Sequence, residues 1–125
     1  MIVGVGIDLT EVSRIAKIVD RHGKRFLNRI YTDAEQAYSL SRGHPPIHLA
    51  ARFAAKEAML KALAVPQGLN WHEMEVKGGG NRKPELVLTG RALDAANQLG
   101  ATRVHLSISH TADVAAAFIV LERGT

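Results

Sequence analysis

The chain contains no cysteine among its 125 residues. Disulfides and thiolate metal sites are therefore both excluded. Aromatic residues make up only 5%, too few to build an interleaved platform for stacking nucleic-acid bases. No apolar stretch approaches the roughly 18 residues of a membrane span. The run that starts at Ile2 has no basic flank and leads directly into acidic residues, so no signal peptide is expected and a cytoplasmic location follows by default. His44, His48, His72 and His105 show no paired metal-ligand spacing, which disfavours zinc. Gly78-Gly79-Gly80 is followed by no Gly-Lys-Ser/Thr and opens no helix, so it reads as a hairpin turn rather than a phosphate-binding loop. Internal repeats, linkers and low-complexity segments are absent as well.

What is present is ordinary in bulk. At 46% hydrophobic and 22% charged residues, the chain reads as one globular domain, residues 1–125, with a modest core. A net charge of +4 favours an anionic partner without naming it. Ile2 to Ile7 alternates large residues with glycine and reads as a strand. Gly4 and Gly6 would let another backbone or a ligand come close. From Glu11 the period changes, and Val12, Ile15, Ile18 and Val19 mark a helix that ends near Gly23. Phe26, Leu27 and Ile30 form a second short element. Thr32-Asp33-Ala34-Glu35 has capping-box spacing, and Pro45-Pro46 suits the start of a long helix running to about Leu63. After a loop, Ala64 to Gly68, two strands are expected at 72–77 and 85–89, then a helix from Gly90 to Leu99 closed by Gly100. Arg103 to Ser109 alternates cleanly, with Val104, Leu106 and Ile108 on one face. Val114 to Leu121 is apolar on both faces, which suggests a central strand or a subunit contact. The order is α+β: a single domain with a mainly antiparallel sheet packed against a long central helix.

Two carboxylates draw attention. Asp8 closes the first strand-like run, and Glu57 lies on the long helix in Arg52-Phe-Ala-Ala-Lys56-Glu57-Ala-Met-Leu-Lys61. Glu57 shares a face with Phe53 and Lys61, whereas Lys56 shares one with Arg52, turned by about 100°. Taken separately, Glu57 and Lys61 could be a solvated ion pair, and Asp8 a carboxylate satisfying free amides at a helix start. Taken jointly they match Mg²⁺, which is commonly held by one or two carboxylates plus substrate phosphates. Lys61 and Arg52 would then offset phosphate charge.

Arg14, Lys17, Arg21 and Arg25 recur at intervals of three and four, and line one helical face if the helix extends that far. This is either a solvated face or a docking surface for an acidic partner. Nucleic acid is disfavoured by the few aromatics, and a membrane by the lack of Trp or Phe on this helix. At the other end of the chain, Ser107-Ile108-Ser109-His110-Thr111 gathers hydroxyls and an imidazole at a strand end, where they could bind phosphate or adenine edges. Ser109 and His110 are strand neighbours pointing to opposite faces, which argues against a hydrolase triad.

Together these segments resemble a known family. Gly6-Ile-Asp8-Leu-Thr-Glu11-Val-Ser-Arg14-Ile15 is similar to its N-terminal signature, and Arg52-Phe-Ala-Ala-Lys56-Glu57-Ala-Met-Leu-Lys61-Ala to its central one. Ser107-Ile-Ser-His110-Thr resembles its C-terminal motif, and Arg82-Lys83-Pro84 its hairpin motif. The family is that of the holo-[acyl-carrier-protein] synthases, the small phosphopantetheinyl transferases. Many members follow the central helix with a Phe-Gly-Thr-Gly-like loop, where this chain has Leu63-Ala64-Val-Pro-Gln-Gly68.

The resemblance implies an α+β homotrimer with active sites between subunits. It also implies transfer of phosphopantetheine from coenzyme A to a serine of an acyl carrier protein, or of a carrier domain of a fatty acid synthase. Asp8 and Glu57 would hold Mg²⁺. Arg52, Lys56, Lys61, Ser109, His110 and Thr111 would surround coenzyme A, and Arg14, Lys17, Arg21 and Arg25 would meet the carrier. On chemical grounds, Glu57 would accept the serine proton through a metal-bound water, and Lys61 would stabilise or protonate the leaving phosphate. Two other classes compete: a non-catalytic basic module for an acidic protein, nucleic acid or anionic lipid, and a generic metal-dependent phosphohydrolase.

Overall fold

The structure, a computed structural model, describes residues 1–64 and 68–124. Its elements in chain order are β1 (Ile2–Glu11), α1 (Val12–His22), α2 (Lys24–Ile30), α3 (Asp33–Leu40), α4 (Pro45–Leu63), β2 (Met74–Gly79), β3 (Arg82–Leu88), α5 (Gly90–Gln98), β4 (Arg103–His110) and β5 (Val114–Glu122), with one 3₁₀ turn at Trp71–Glu73. The α+β expectation holds. β1, β5 and β4 form an antiparallel sheet with β5 in the centre, and β2–β3 form a separate hairpin. β5 takes the central position, and its outer face stays partly open, with Phe118 exposed.

Local chemistry explains most boundaries. Thr32 and Glu35 make both reciprocal bonds of the capping box that starts α3. Pro45 and Pro46 occupy the first turn of α4, where a missing N–H costs little. Gly23 ends α1 at φ 53°, so the helical face of Arg14, Lys17 and Arg21 stops there and Arg25 sits on α2. The first strand runs four residues beyond Ile7 to Glu11, which places Asp8 inside the strand and not at its end. Helix α1 begins with no side-chain cap, so the helix-start reading of Asp8 falls. The expected loop from Ala64 to Gly68 includes residues 65–67, which lie outside the described residues.

Helix α4 is buried over most of its circumference, as a helix at the centre of a fold must be. Its alanines 54, 55, 58 and 62 and Met59 pack between the inner face of β5 (Ala117, Ile119, Leu121), the hairpin (Met74, Val76, Leu86, Leu88) and α5 (Ala92, Ala96). Its other side joins Val12, Ile15, Leu27, Ile30 and Tyr31. β1 meets α4 through Gly4 and Gly6, whose missing side chains let the Ala62 and Ala58 carbonyls come close.

Candidate active site

β1 and α4 bring the two carboxylates together. Asp8 Oδ1 accepts from Lys61 Nζ at 3.1 Å, and Asp8 Oδ2 from the Thr10 hydroxyl at 2.9 Å. Lys61 also donates to the Ile7 carbonyl at 2.9 Å. Lys61 therefore bridges to the strand, and does not form the intrahelical pair with Glu57. Glu57 is half-buried and makes no hydrogen bond or ion pair among the described residues. Its carboxyl is pushed above the ordinary value, first by burial and then by the charge of Asp8, against the opposing pull of Lys61 and Arg14. Two neighbouring carboxylates, with Glu57 left unbonded, form a donor set suited to a hard divalent cation. No group of three or more His, Asp or Glu gathers for a metal among the described residues, so substrate oxygens and water would have to complete the shell.

A second region lies around Tyr38. The Arg52 guanidinium stands 4.0 Å from the Tyr38 ring centroid and that of Arg42 4.4 Å, both within cation–π range. His48 packs edge-on to Tyr38 at 5.7 Å and His110 to His48 at 6.5 Å. Arg52 Nη2 donates to the Gly78 carbonyl at 2.9 Å, while its buried Nε has no partner among the described residues. Tyr38, Arg42 and Arg52 border a cleft of about 400 Å³ that Lys77 and Arg82 of the hairpin complete. Four cations against Glu75 alone make it a site for an anion. Arg52 and His110 were legible in the sequence. Tyr38, Arg42 and His48 were not, because nothing in their spacing reveals that α3 and α4 cross there.

The remaining expected residues are scattered. Lys56 corrects the expectation that it lies around coenzyme A. It is fully buried, and Nζ spends its three donors on Glu35 (2.7 Å), the Ile30 carbonyl (2.9 Å) and the Trp71 carbonyl (3.0 Å), leaving none for a phosphate. Thr111 Oγ1 accepts from the backbone amides of Asp113 and Val114, closing the β4–β5 turn. Ser109 points to the outer face of the sheet, away from His110. Arg14, Lys17, Arg21 and Arg25 are all exposed. Lys17 and Arg21 share one surface hollow, and Arg25 shares another with His22, Phe26 and Arg29. Arg14 differs from the rest: it reaches over the Phe53 ring at 5.9 Å and acts on the Glu57 carboxyl.

Residues 4–119 match the family model of the 4'-phosphopantetheinyl transferase superfamily. The chain belongs to that superfamily. It is 47% identical to the holo-[acyl-carrier-protein] synthase of Koribacter versatilis, over 98% of this chain and 99% of that one. Among solved structures it superposes on the holo-[acyl-carrier-protein] synthase of Neisseria meningitidis with a TM-score of 0.86 at 34% identity, covering 98% of this chain and 100% of that one. The Bacillus anthracis enzyme, solved in complex with CoA (3',5'-ADP), gives 0.79 at 35% identity with 99% of each chain covered. No described helix is long and apolar enough to cross a membrane.

Proposed function

We propose that this chain transfers the 4'-phosphopantetheine group of coenzyme A to a serine of an apo acyl carrier protein, or of a carrier domain, in fatty acid biosynthesis. The observation that carries the reading is the convergence of Asp8, Glu57 and Lys61 on one spot, in a chain whose relatives carry out or bind the parts of that reaction. The serine oxygen forms a bond to the phosphorus next to pantetheine. The bridging P–O bond breaks, and adenosine 3',5'-bisphosphate leaves. Glu57, raised toward a useful basicity, takes the serine proton. Lys61, half-exposed and anchored on Asp8, faces the charge that grows on the leaving phosphate and can return a proton to it. Asp8 and Glu57 would hold Mg²⁺, which supplies polarisation of the attacked phosphate when bound. The Arg42–Tyr38–Arg52 cleft, with His110 beside it, suits the phosphates of the nucleotide end.

Exposed Lys17, Arg21 and Arg25 suit the acidic surface of a carrier, and Arg14 stands where that surface meets the carboxylates. The outer sheet face presents three rows: Val5–Val120–His105, Ile7–Phe118–Ser107 and Leu9–Ala116–Ser109. Val5, Ile7 and Leu9 are each more than half exposed. We infer that copies of this chain cover that apolar area as a homotrimer, which would also carry Ser109 toward a neighbouring chain. A cytoplasmic location accompanies this reading.

Intact mass spectrometry of an apo carrier, incubated with the protein, coenzyme A and Mg²⁺, tests the proposal. A chelator-sensitive gain of one phosphopantetheine supports it, and no gain across several carriers refutes it. Light scattering tests the trimer: a monomer at micromolar concentration would contradict that part alone.

A further inference from the structure

The most heavily bonded ionic group among the described residues lies outside the site just described. Lys56 and Glu35 are both fully buried. Besides Lys56, Glu35 Oε1 accepts from the Thr32 amide at 2.9 Å, and Oε2 accepts from the Val76 amide at 2.8 Å. With the Ile30 and Trp71 carbonyls on Lys56, the pair joins the end of α2, the start of α3, the 3₁₀ turn, β2 and α4 at one point. Such a pair is a poor way to gain stability, since desolvating two ions offsets most of their attraction. Indeed, burial pulls the Lys56 ammonium below its ordinary value in spite of Glu35. What the pair does supply is direction, because five bonds of fixed geometry leave α4 one rotational setting.

That setting matters because α4 carries functional groups on two neighbouring faces. Arg52 lies four residues before Lys56 on the same face, and holds the Gly78 carbonyl two residues beyond the Val76 amide that Glu35 holds. Glu57 and Lys61 lie about 100° further round, toward Asp8. We propose that Lys56 and Glu35 are positioning residues for the transfer, setting the rotation of α4 so that Glu57 meets Asp8 while Arg52 meets the hairpin. The claim rests on the functional reading above. Lys17 and Arg21 of the docking surface lie on α1, to which the pair makes no bond, so the pair should tune chemistry and coenzyme A binding while carrier affinity changes little.

The test is K56M, with E35Q/K56M as the variant that removes both charges and leaves no lone buried ion. Folded fraction is measured by circular dichroism and urea melts, and every rate is expressed per folded molecule. We expect kcat to fall ~10- to 100-fold, as for loss of a group that orients reacting partners. Coenzyme A affinity by calorimetry should weaken, and the KM for carrier should stay within about twofold. Because the effect acts through Glu57, adding K56M to E57Q should cost less than a further ~3-fold. A wild-type kcat per folded molecule, a full additive loss in the E57Q background, or an equal rise in carrier KM would each overturn the proposal. A wild-type protein that binds coenzyme A yet transfers nothing would instead refute the functional reading, and the variants' coenzyme A affinity would still decide the positioning claim. Absence of coenzyme A binding by the wild type would overturn both.

Discussion

Gly6→Ala is the smallest change that should damage both fold and site. A Cβ at Gly6 would overlap the Ala58 carbonyl oxygen and stand 2.9 Å from Ala58 C and Ala62 N. All three obstacles are helix backbone, so no side chain can rotate away and α4 must back off from β1. Overpacking a core costs ~1–3 kcal/mol, and a rigid obstacle puts this substitution at the upper end. That is a large share of the ~5–15 kcal/mol available to a domain. Asp8 lies two residues along β1, and Glu57 is the chain neighbour of Ala58, so the same retreat widens the gap between the carboxylates. A displacement of about 1 Å between catalytic groups can cost ~100-fold in rate. Urea melts and initial transfer rates per folded molecule would be measured on G6A, with G43A as control because nothing lies within 4 Å of a Cβ there. G43A should stay within ~0.5 kcal/mol of the wild type. A G6A protein as stable as G43A and as active as the wild type would refute the close-approach account of β1.

Three further outcomes are expected. Ala64 holds φ 55°, ψ 32° at the end of α4, a left-handed conformation that costs a non-glycine residue ~1 kcal/mol. Ala64→Gly should therefore stabilise the fold by ~0.5 kcal/mol after the extra freedom of glycine in the unfolded chain is subtracted, read as a higher urea midpoint; a lower midpoint would count against it. Arg21→Glu should raise the carrier KM and leave coenzyme A affinity alone, whereas Arg14→Glu should lower kcat as well, because Arg14 also acts on Glu57. Burial, then the charges of Arg52, His110, Arg42 and His44, hold the His48 imidazole below its ordinary value of 6.5. The folded protein thus takes up that proton less readily than the unfolded chain, so His48's contribution to stability is complete above pH 6.5 and declines as the pH falls below it. His48→Gln should flatten part of the acid limb of a stability–pH curve, and an unchanged limb would dismiss the effect.

The elements that were readable from the sequence are those with local causes. The capping box at Thr32, the proline start of α4, the glycine stop at Gly23 and the alternation of β4 each carry their signal within a few residues. Asp8 and Glu57 are legible as a pair through the chemistry of their oxygen donors and through the resemblance, but not through spacing, since they lie 49 positions apart and no spacing rule reports that β1 lies on α4. Lys56 misled for a related reason: a lysine beside a functional glutamate looks like a phosphate ligand, and only the packed structure shows Glu35 and two carbonyls claiming every donor. The Tyr38 cleft leaves no mark in the sequence because it depends on the crossing of α3, α4 and a hairpin tip. The hairpin itself was placed, although its turn is tighter than the expected span from Gly78 to Lys83, with β2 reaching Gly79 and β3 starting at Arg82.

β1 wears its bulk on the outside. Two of its helix-facing positions, Gly4 and Gly6, are glycines pressed against carbonyls, while Val5, Ile7 and Leu9 face away from the chain's own core. A saturation mutagenesis map of this strand should therefore look reversed. The smallest residues should be the least replaceable in a dilute, isolated chain, and the large aliphatic ones should tolerate polar replacement there while becoming sensitive wherever copies assemble. Comparing such maps at low and high protein concentration would separate the demands of one chain's fold from those of its assembly. The segment that hydropathy alone would assign to the interior is the one this molecule turns outward.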